Sequence, residues 1–284
     1  MKGIDLMSEY SIGEIGAKER AFGVYQTAGD VPTFGINVFD TSEWSENCVE
    51  DVIPDIKQRI GNRRKKGLNW LPPYFLSLLP VFQCKIFEKG YVEVVDIGGG
   101  QGENYIYLEK FFGSEVLRWH VIEQKKNCRY GEKLYTSENI HFYENKSANP
   151  CCLSAEAVEL LKKADICLMI GVLQCFPDYF QLLKEASESG VEYIFITRTH
   201  ITKSTEAFYT RYYVALAAGK YKDVILGDAV LAVINYDELF QYMSALGYGV
   251  CLDIHQQGDF ADMRGLPEQY NKCEYRDMLY RKNL

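Results

Sequence analysis

Val94-Val95-Asp96-Ile97-Gly98-Gly99-Gly100-Gln101-Gly102-Glu103-Asn104 is the stretch on which the fold turns. Val92 to Ile97 is a β-branched run that reads as a strand, and the spacing of Tyr105, Ile106, Leu108 and Phe112 predicts a helix over 103–112. Between them stand glycines, which lack the Cβ that clashes at positive φ and so permit a sharp strand-to-helix turn. A loop without side chains also lets a ligand lie against the backbone at the carboxyl end of a sheet. In open α/β folds that is where ligands bind.

Downstream of Tyr91, short β-branched runs alternate with amphipathic segments, the pattern of a parallel sheet with crossover helices. Trp119–Glu123, Ile140–Tyr143, Ile166–Ile170 and Val191–Thr197 read as further strands. Helices are expected over 155–163, over 177–190 with Pro177 opening and Gly190 closing, over the aromatic segment 207–218, and over 237–246 with Asp237 as N-cap. No helix fits between Tyr248–Ile254 and Glu274–Arg281, so these late strands are expected to pair antiparallel at one sheet edge. Residues 1–89 lack this alternation. They hold Gly-rich turns, a helical pattern from Val49 to Ile60, the basic run Arg59–Lys66 and an apolar stretch broken by prolines. The expectation is therefore an α/β domain over 90–284, a seven-stranded and mostly parallel Rossmann-like sheet with an antiparallel last strand. A mainly helical N-terminal extension, 1–89, would form a lid over it.

With 47% hydrophobic and 25% charged residues in 284, the chain is globular, and disordered or fibrous classes are excluded. Its 31 basic against 39 acidic side chains leave a net charge of −8, which speaks against a nucleic-acid partner. Nine scattered cysteines without a C-x-x-C pair read as packing residues in a reducing compartment, with no disulfide framework and no metal site. Residues 1–11 lack the continuous apolar core of a signal peptide, and no apolar stretch reaches the roughly 20 residues of a membrane span. A cytoplasmic protein is expected, with a homodimer left open.

The spacing of the loop narrows its ligand. Dinucleotide sites read G-x-G-x-x-G, whereas Gly98, Gly100 and Gly102 give G-x-G-x-G followed by Glu103. A carboxylate in the first turn of the helix would crowd and repel a pyrophosphate. An adenosine carrying a cationic sulfonium and an amino-acid tail suits the loop better, with Asp96 placed to meet the ammonium directly or through water. No Gly-Lys-Ser/Thr follows, which excludes a P-loop. Glu123 ends the next strand about twenty residues past Gly102, where a carboxylate accepts ribose hydroxyls. That position alone does not separate a nicotinamide dinucleotide from S-adenosylmethionine.

The loop DIGGGQG with Asp96, then Glu123, resembles the first motif and its acidic partner in class I S-adenosylmethionine-dependent methyltransferases. The strand leading into Gly171-Val172-Leu173-Gln174-Cys175-Phe176 is similar to their fourth motif, and the terminal strand pair to their antiparallel finish. More loosely, the whole chain, with Thr197-Arg198-Thr199 ending the fifth strand, resembles uncharacterised bacterial putative methyltransferases associated with surface-polysaccharide gene clusters. The resemblance implies S-adenosylmethionine as cofactor and methyl transfer to a small-molecule or sugar acceptor, with oxygen as the first choice of acceptor atom and polysaccharide biosynthesis as the setting. It places Gly98, Gly100 and Gly102 against the amino-acid tail, Glu123 on the ribose, Asn145 or Ser147 beside the adenine, and Gly171 and Gln174 under the sulfonium. The readings from other classes are an NAD-dependent oxidoreductase or epimerase and a non-catalytic binding module.

Among the histidines, His120 and His141 lie within strands and read as structural, and His255 follows a late strand. His200 stands just past the fifth strand and is either a general base for a hydroxyl acceptor or a solvated loop residue. Arg198, beside it, either grips an anionic substrate or pairs with a neighbouring carboxylate. The basic run 59–66 is either a solvated helix end or an anion contact, and the aromatic segment 208–213 either covers substrate or packs in the core.

Overall fold

A computed structural model describes residues 20–33, 38–62, 70–147, 149, 151–215, 225–260 and 263–283. The first element is a strand, β1 (Ala21–Tyr25). A helical run follows, α1 (Ser42–Asn47), a π-helical stretch (Cys48–Val52) and α2 (Ile53–Gly61). Thr41 starts it by accepting the Trp44 N–H on its hydroxyl at 3.2 Å. Of the basic run, Arg59 pairs with Asp55 one turn earlier, and residues 63–66 lie outside the described residues. The short α3 (Pro73–Leu76) and α4 (Leu79–Lys89) then lead into the sheet.

From there β2 (Val92–Ile97), α5 (Glu103–Phe112), β3 (Leu117–Glu123), α6 (Lys125–Leu134), β4 (Ile140–Glu144), α7 (Ala155–Leu161), β5 (Ile166–Ile170), α8 (Tyr179–Ser189) and β6 (Tyr193–Thr197) alternate, α6 being an addition to the expected helices. The pairs β2–β3, β3–β4, β2–β5 and β5–β6 are all parallel. After β7 (Ile201–Thr202), β8 (Phe208–Ala215) and β9 (Ile225–Asn235) come α9 (Tyr236–Ala245), β10 (Tyr248–Phe260) and β11 (Glu274–Lys282). β11 runs antiparallel between β6 and β10, so β11 is internal and β10 is the outer strand. The run β4-β3-β2-β5-β6-β11-β10 is thus a Rossmann-like order with its final strand inserted antiparallel.

Successive side chains of a strand face opposite layers, and here both layers are apolar. Val95, Cys167 and Ile194 pack with Leu161, Leu182 and Leu239 of α7, α8 and α9 on one side. Val94, Trp119 and Leu168 pack with Ile56, Phe82 and Leu108 of α2, α4 and α5 on the other. The extension therefore supplies part of one of the sheet's two coats, and through β1 it also supplies a strand.

Three local expectations are corrected. The aromatic segment is a strand, not a helix, because β8 pairs antiparallel with β9 on one side and β1 on the other. Phe208 and Tyr212 lie four apart, a spacing that fits one face of a strand as well as one face of a helix. The helix after β5 starts past Pro177, with Asp178 accepting the Gln181 N–H at 3.0 Å. Asn235, not Asp237, caps α9 by accepting the Glu238 N–H at 3.0 Å, which leaves Asp237 and Glu238 in the first turn where the helix dipole favours them. Nor are all cysteines packing residues, since Cys84 and Cys251 are exposed. No helix among the described residues is long and apolar enough to cross a membrane, and none of their acidic, histidine and cysteine side chains cluster as a metal site.

Candidate active site

A cleft of about 850 Å³ opens at the carboxyl ends of β2, β3, β5 and β6. Its floor is the glycine loop. Gly98 has φ +66°, and a Cβ there would lie 2.2 Å from Val172 Cγ2, so only glycine fits between the loop and the segment after β5. Gly100 also lines the cleft. Gly102 does not. It is the αL N-cap of α5 (φ +87°), and a Cβ would meet Ile140 Cδ1 at 2.8 Å, so its role is to let the helix approach β4.

Glu103 opens α5 and turns back over the loop, accepting the Gln101 N–H on Oε2 at 2.9 Å and a bond from the Cys48 thiol. Burial holds its carboxyl above the usual range. The amide that a bound phosphate would need at this helix end is thus already taken by the protein's own carboxylate.

Glu123 lines the cleft from the end of β3. Burial raises its pKa, and the amide of Asn127 opposes that by donating to Oε1 at 2.8 Å. Asn127 Oδ1 in turn accepts from Gln101 Nε2 at 3.1 Å and from Ser45 Oγ at 2.8 Å. One buried amide therefore ties the glycine loop, the ribose-type carboxylate and α1 of the extension together. The sequence reading missed Asn127, although its place four residues past Glu123, on the first turn of α6, was a signal.

Asp96 is fully buried beneath the loop and does not line the cleft. Its Oδ2 accepts from Asn104 Nδ2 at 3.1 Å and Trp119 Nε1 at 3.3 Å, while Oδ1 has no hydrogen-bond partner. Desolvation pushes its pKa up to about 7, against those two bonds and with help from Glu103 and Glu123. Asn104, its partner, does line the cleft.

Asn145 lines the cleft, yet its side chain is committed elsewhere. Nδ2 donates to Cys152 O at 3.1 Å and Oδ1 accepts the Ser154 N–H at 2.7 Å, so it pins the loop before α7. Gln174 does not line the cleft. Its Nε2 donates to Gly171 O at 2.8 Å and Arg198 O at 3.4 Å, bracing the ends of β5 and β6. Gly171 has φ +68° and lines the cleft beside Arg198, whose φ of +53° is the single positive value at a non-glycine among the described residues. Such a backbone costs on the order of 1–3 kcal/mol.

His200 is not the acceptor-facing residue the sequence suggested, nor a solvated one. It is 4% exposed, because β7 begins at the next residue and draws the chain between β9 and β11. Its Nε2 lies 3.4 Å from the Tyr275 hydroxyl. Burial, with the charge of Arg198, pushes its pKa down to about 4, so the ring is neutral and a weak base at pH 7. His120 is structural, 2.9 Å from Glu93 and stacked on His141.

The remaining walls come from outside the parallel sheet. Phe39, Trp44 and Tyr74 of the extension and Asp228, Ala229 and Val230 of β9 line the cleft, and Phe39 and Trp44 pack in one cluster with Ala229. Asp228 is buried and bonded to the buried Arg211 at 2.8 Å.

No family model matches the chain, and no curated protein matches its sequence. Solved structures do resemble its fold. LepI in complex with SAM shares 12% identity at a TM-score of 0.43, over 75% of this chain and 47% of that one. This chain thus spans about half the length of LepI. The CcbJ methyltransferase from Streptomyces caelestis shares 13% at 0.46, over 75% and 91%. The 1,6-didemethyltoxoflavin-N1-methyltransferase of Burkholderia thailandensis, solved with 1,6-didemethyltoxoflavin and S-adenosylhomocysteine, shares 12% at 0.41, over 84% and 91%. These are likenesses of fold.

Proposed function

We propose that the protein is an S-adenosylmethionine-dependent methyltransferase acting on a small molecule, with a sugar hydroxyl as the first acceptor to try. One observation carries the reading. Glu103 occupies the anion-binding end of α5, so the glycine loop is closed to a pyrophosphate and presents negative charge instead.

The donor set fits the cofactor. Glu123, held by Asn127, is the acceptor for a ribose diol, and Gly98 and Gly100 allow close approach of an amino-acid tail. Glu103 and Glu123 line the cleft, and carboxylates there suit a ligand that carries a sulfonium and an ammonium. When bound, S-adenosylmethionine supplies a methyl group activated by positively charged sulfur. The chain's own contribution is alignment. The walls from β9 and the extension hold an acceptor against the sheet end and keep water out, and such positioning accounts for most of the acceleration of an in-line transfer.

Isothermal titration tests the reading. S-adenosylhomocysteine is expected to bind and NAD to give no heat; NAD binding without S-adenosylhomocysteine binding would sink it. Transfer of a tritiated methyl group then separates an enzyme from a binding module of the same fold.

A further inference from the structure

Among the described residues, the acids and the base that line the cleft stand at different strands. Glu103 and Glu123 occupy the end beside the glycine loop, whereas Arg198, at the end of β6, is the one basic side chain among the described residues that line it. The acid on the wall, Asp228, is matched by Arg211 at 2.8 Å with both side chains buried, so that pair adds little net charge. An anion entering the cleft would therefore meet two glutamates beside the glycine loop and a guanidinium at the end of β6.

Arg198 is also held deliberately. Its left-handed backbone turns the chain at the cleft instead of continuing β6, and Gln174 fastens its carbonyl to that of Gly171. The guanidinium lies over the Tyr275 ring at 5.6 Å, and the hydroxyl of that tyrosine lies 3.4 Å from Nε2 of the buried His200. A guanidinium carries five donors in a planar fork, a match for a carboxylate or phosphate. Around it the cleft is aromatic. Phe39 and Trp44 pack edge to face at 5.1 Å, and Tyr74 and Phe176 complete the lining. Flat or sugar-like rings suit such walls.

We propose that the acceptor is a ring compound bearing a carboxylate or phosphate, anchored by Arg198 against these aromatic walls. The assignment rests on the methyltransferase reading and names its substrate class. Arg198 is then the residue that determines specificity. Tyr275 and His200 are positioning residues that support its guanidinium.

The test starts with S-adenosylhomocysteine binding to the wild type and to Arg198→Gln. Failure in the wild type overturns the methyltransferase reading itself, while equal affinity in both shows that the variant is folded and its cofactor end intact. With S-adenosylhomocysteine saturating, calorimetry then compares 4-hydroxybenzoate with 4-hydroxybenzamide, and glucuronate and glucose 6-phosphate with glucose. At least one anionic probe is expected to bind the wild type about tenfold or more tightly than its neutral partner, and R198Q to erase that preference. A response in the benzoate arm identifies an aromatic acid, and one in the sugar arms a sugar acid or sugar phosphate. If no anionic probe binds, if acids and neutrals bind alike, or if R198Q keeps the preference, the proposal is overturned.

Discussion

Asp96 shows how a single buried carboxyl links the cleft to the stability of the protein. Its ordinary pKa of 3.8 applies to the unfolded chain and its raised value of about 7 to the folded one. Between those limits the folded state holds the proton more tightly, so stability falls as pH rises through this window. Asp96→Asn keeps the side chain's shape and removes the charge. The variant is expected to melt several degrees above the wild type at pH 7.5 and to show a flatter dependence of melting temperature on pH between 5 and 7.5. An unchanged slope by calorimetry would remove Asp96 from the account. Arg198 offers a converse case. Arg198→Gly relieves a left-handed backbone, so a gain of about 1 kcal/mol in urea unfolding is expected alongside weaker binding of anionic probes. Gly98→Ala should do the reverse, losing both stability and S-adenosylhomocysteine affinity, since its Cβ would strike Val172. At this scale the turn at the glycine loop and the strand-end place of Glu123 were legible because backbone conformation and strand ends are local properties, whereas the burial of Asp96 beneath the loop was not. The destinations of Asn145, Gln174 and His200 were not. Each depends on a partner, Ser154, Arg198 or Tyr275, whose position the neighbouring residues do not dictate.

Among the elements, β9 supplies part of the cleft wall and β8 pairs beside it. Their pairing buries Arg211 against Asp228 in adjacent strands of one hairpin. Removing one member leaves the other charged and desolvated, which costs about 3 kcal/mol or more. Arg211→Met is expected to show that loss in urea denaturation with an unchanged m-value, and a loss below about 1 kcal/mol would mean that the wall yields to let water in. The seven strands of the Rossmann-like core were readable, because a strand buried on both faces is a continuous apolar run bounded by turns, but the polar helix α6 between β3 and β4 was not. The wall was not. Phe208-Tyr209-Thr210-Arg211-Tyr212-Tyr213 satisfies more than one periodicity, and only the ladder with β9 and β1 selects a strand.

Taken whole, the molecule is a sheet with a cleft at the carboxyl ends of its parallel strands, and the lining of that cleft also draws on two pieces of chain distant in sequence, the extension and β9. Ligand binding that stabilises only the folded form adds about 2.7 kcal/mol at a hundredfold excess over Kd. For a chain of this size that corresponds to roughly 5 °C in melting temperature. S-adenosylhomocysteine at that excess is expected to raise the melting temperature by about this amount and NAD to leave it unchanged, as read by scanning calorimetry. The sequence by itself determined the order of the core elements, the glycine turn and the two acids that flank it, because periodicity and the demand for positive φ act over a few residues. Tertiary structure alone decided that Glu103 folds back onto its own helix end, that Asn127 joins Glu123 to Gln101 and to Ser45, and that His200 is sealed in while Arg198 faces the cleft. A side chain's partner, solvation and charge state are set by what the rest of the chain packs against it, and that contact is made across the fold rather than along the sequence.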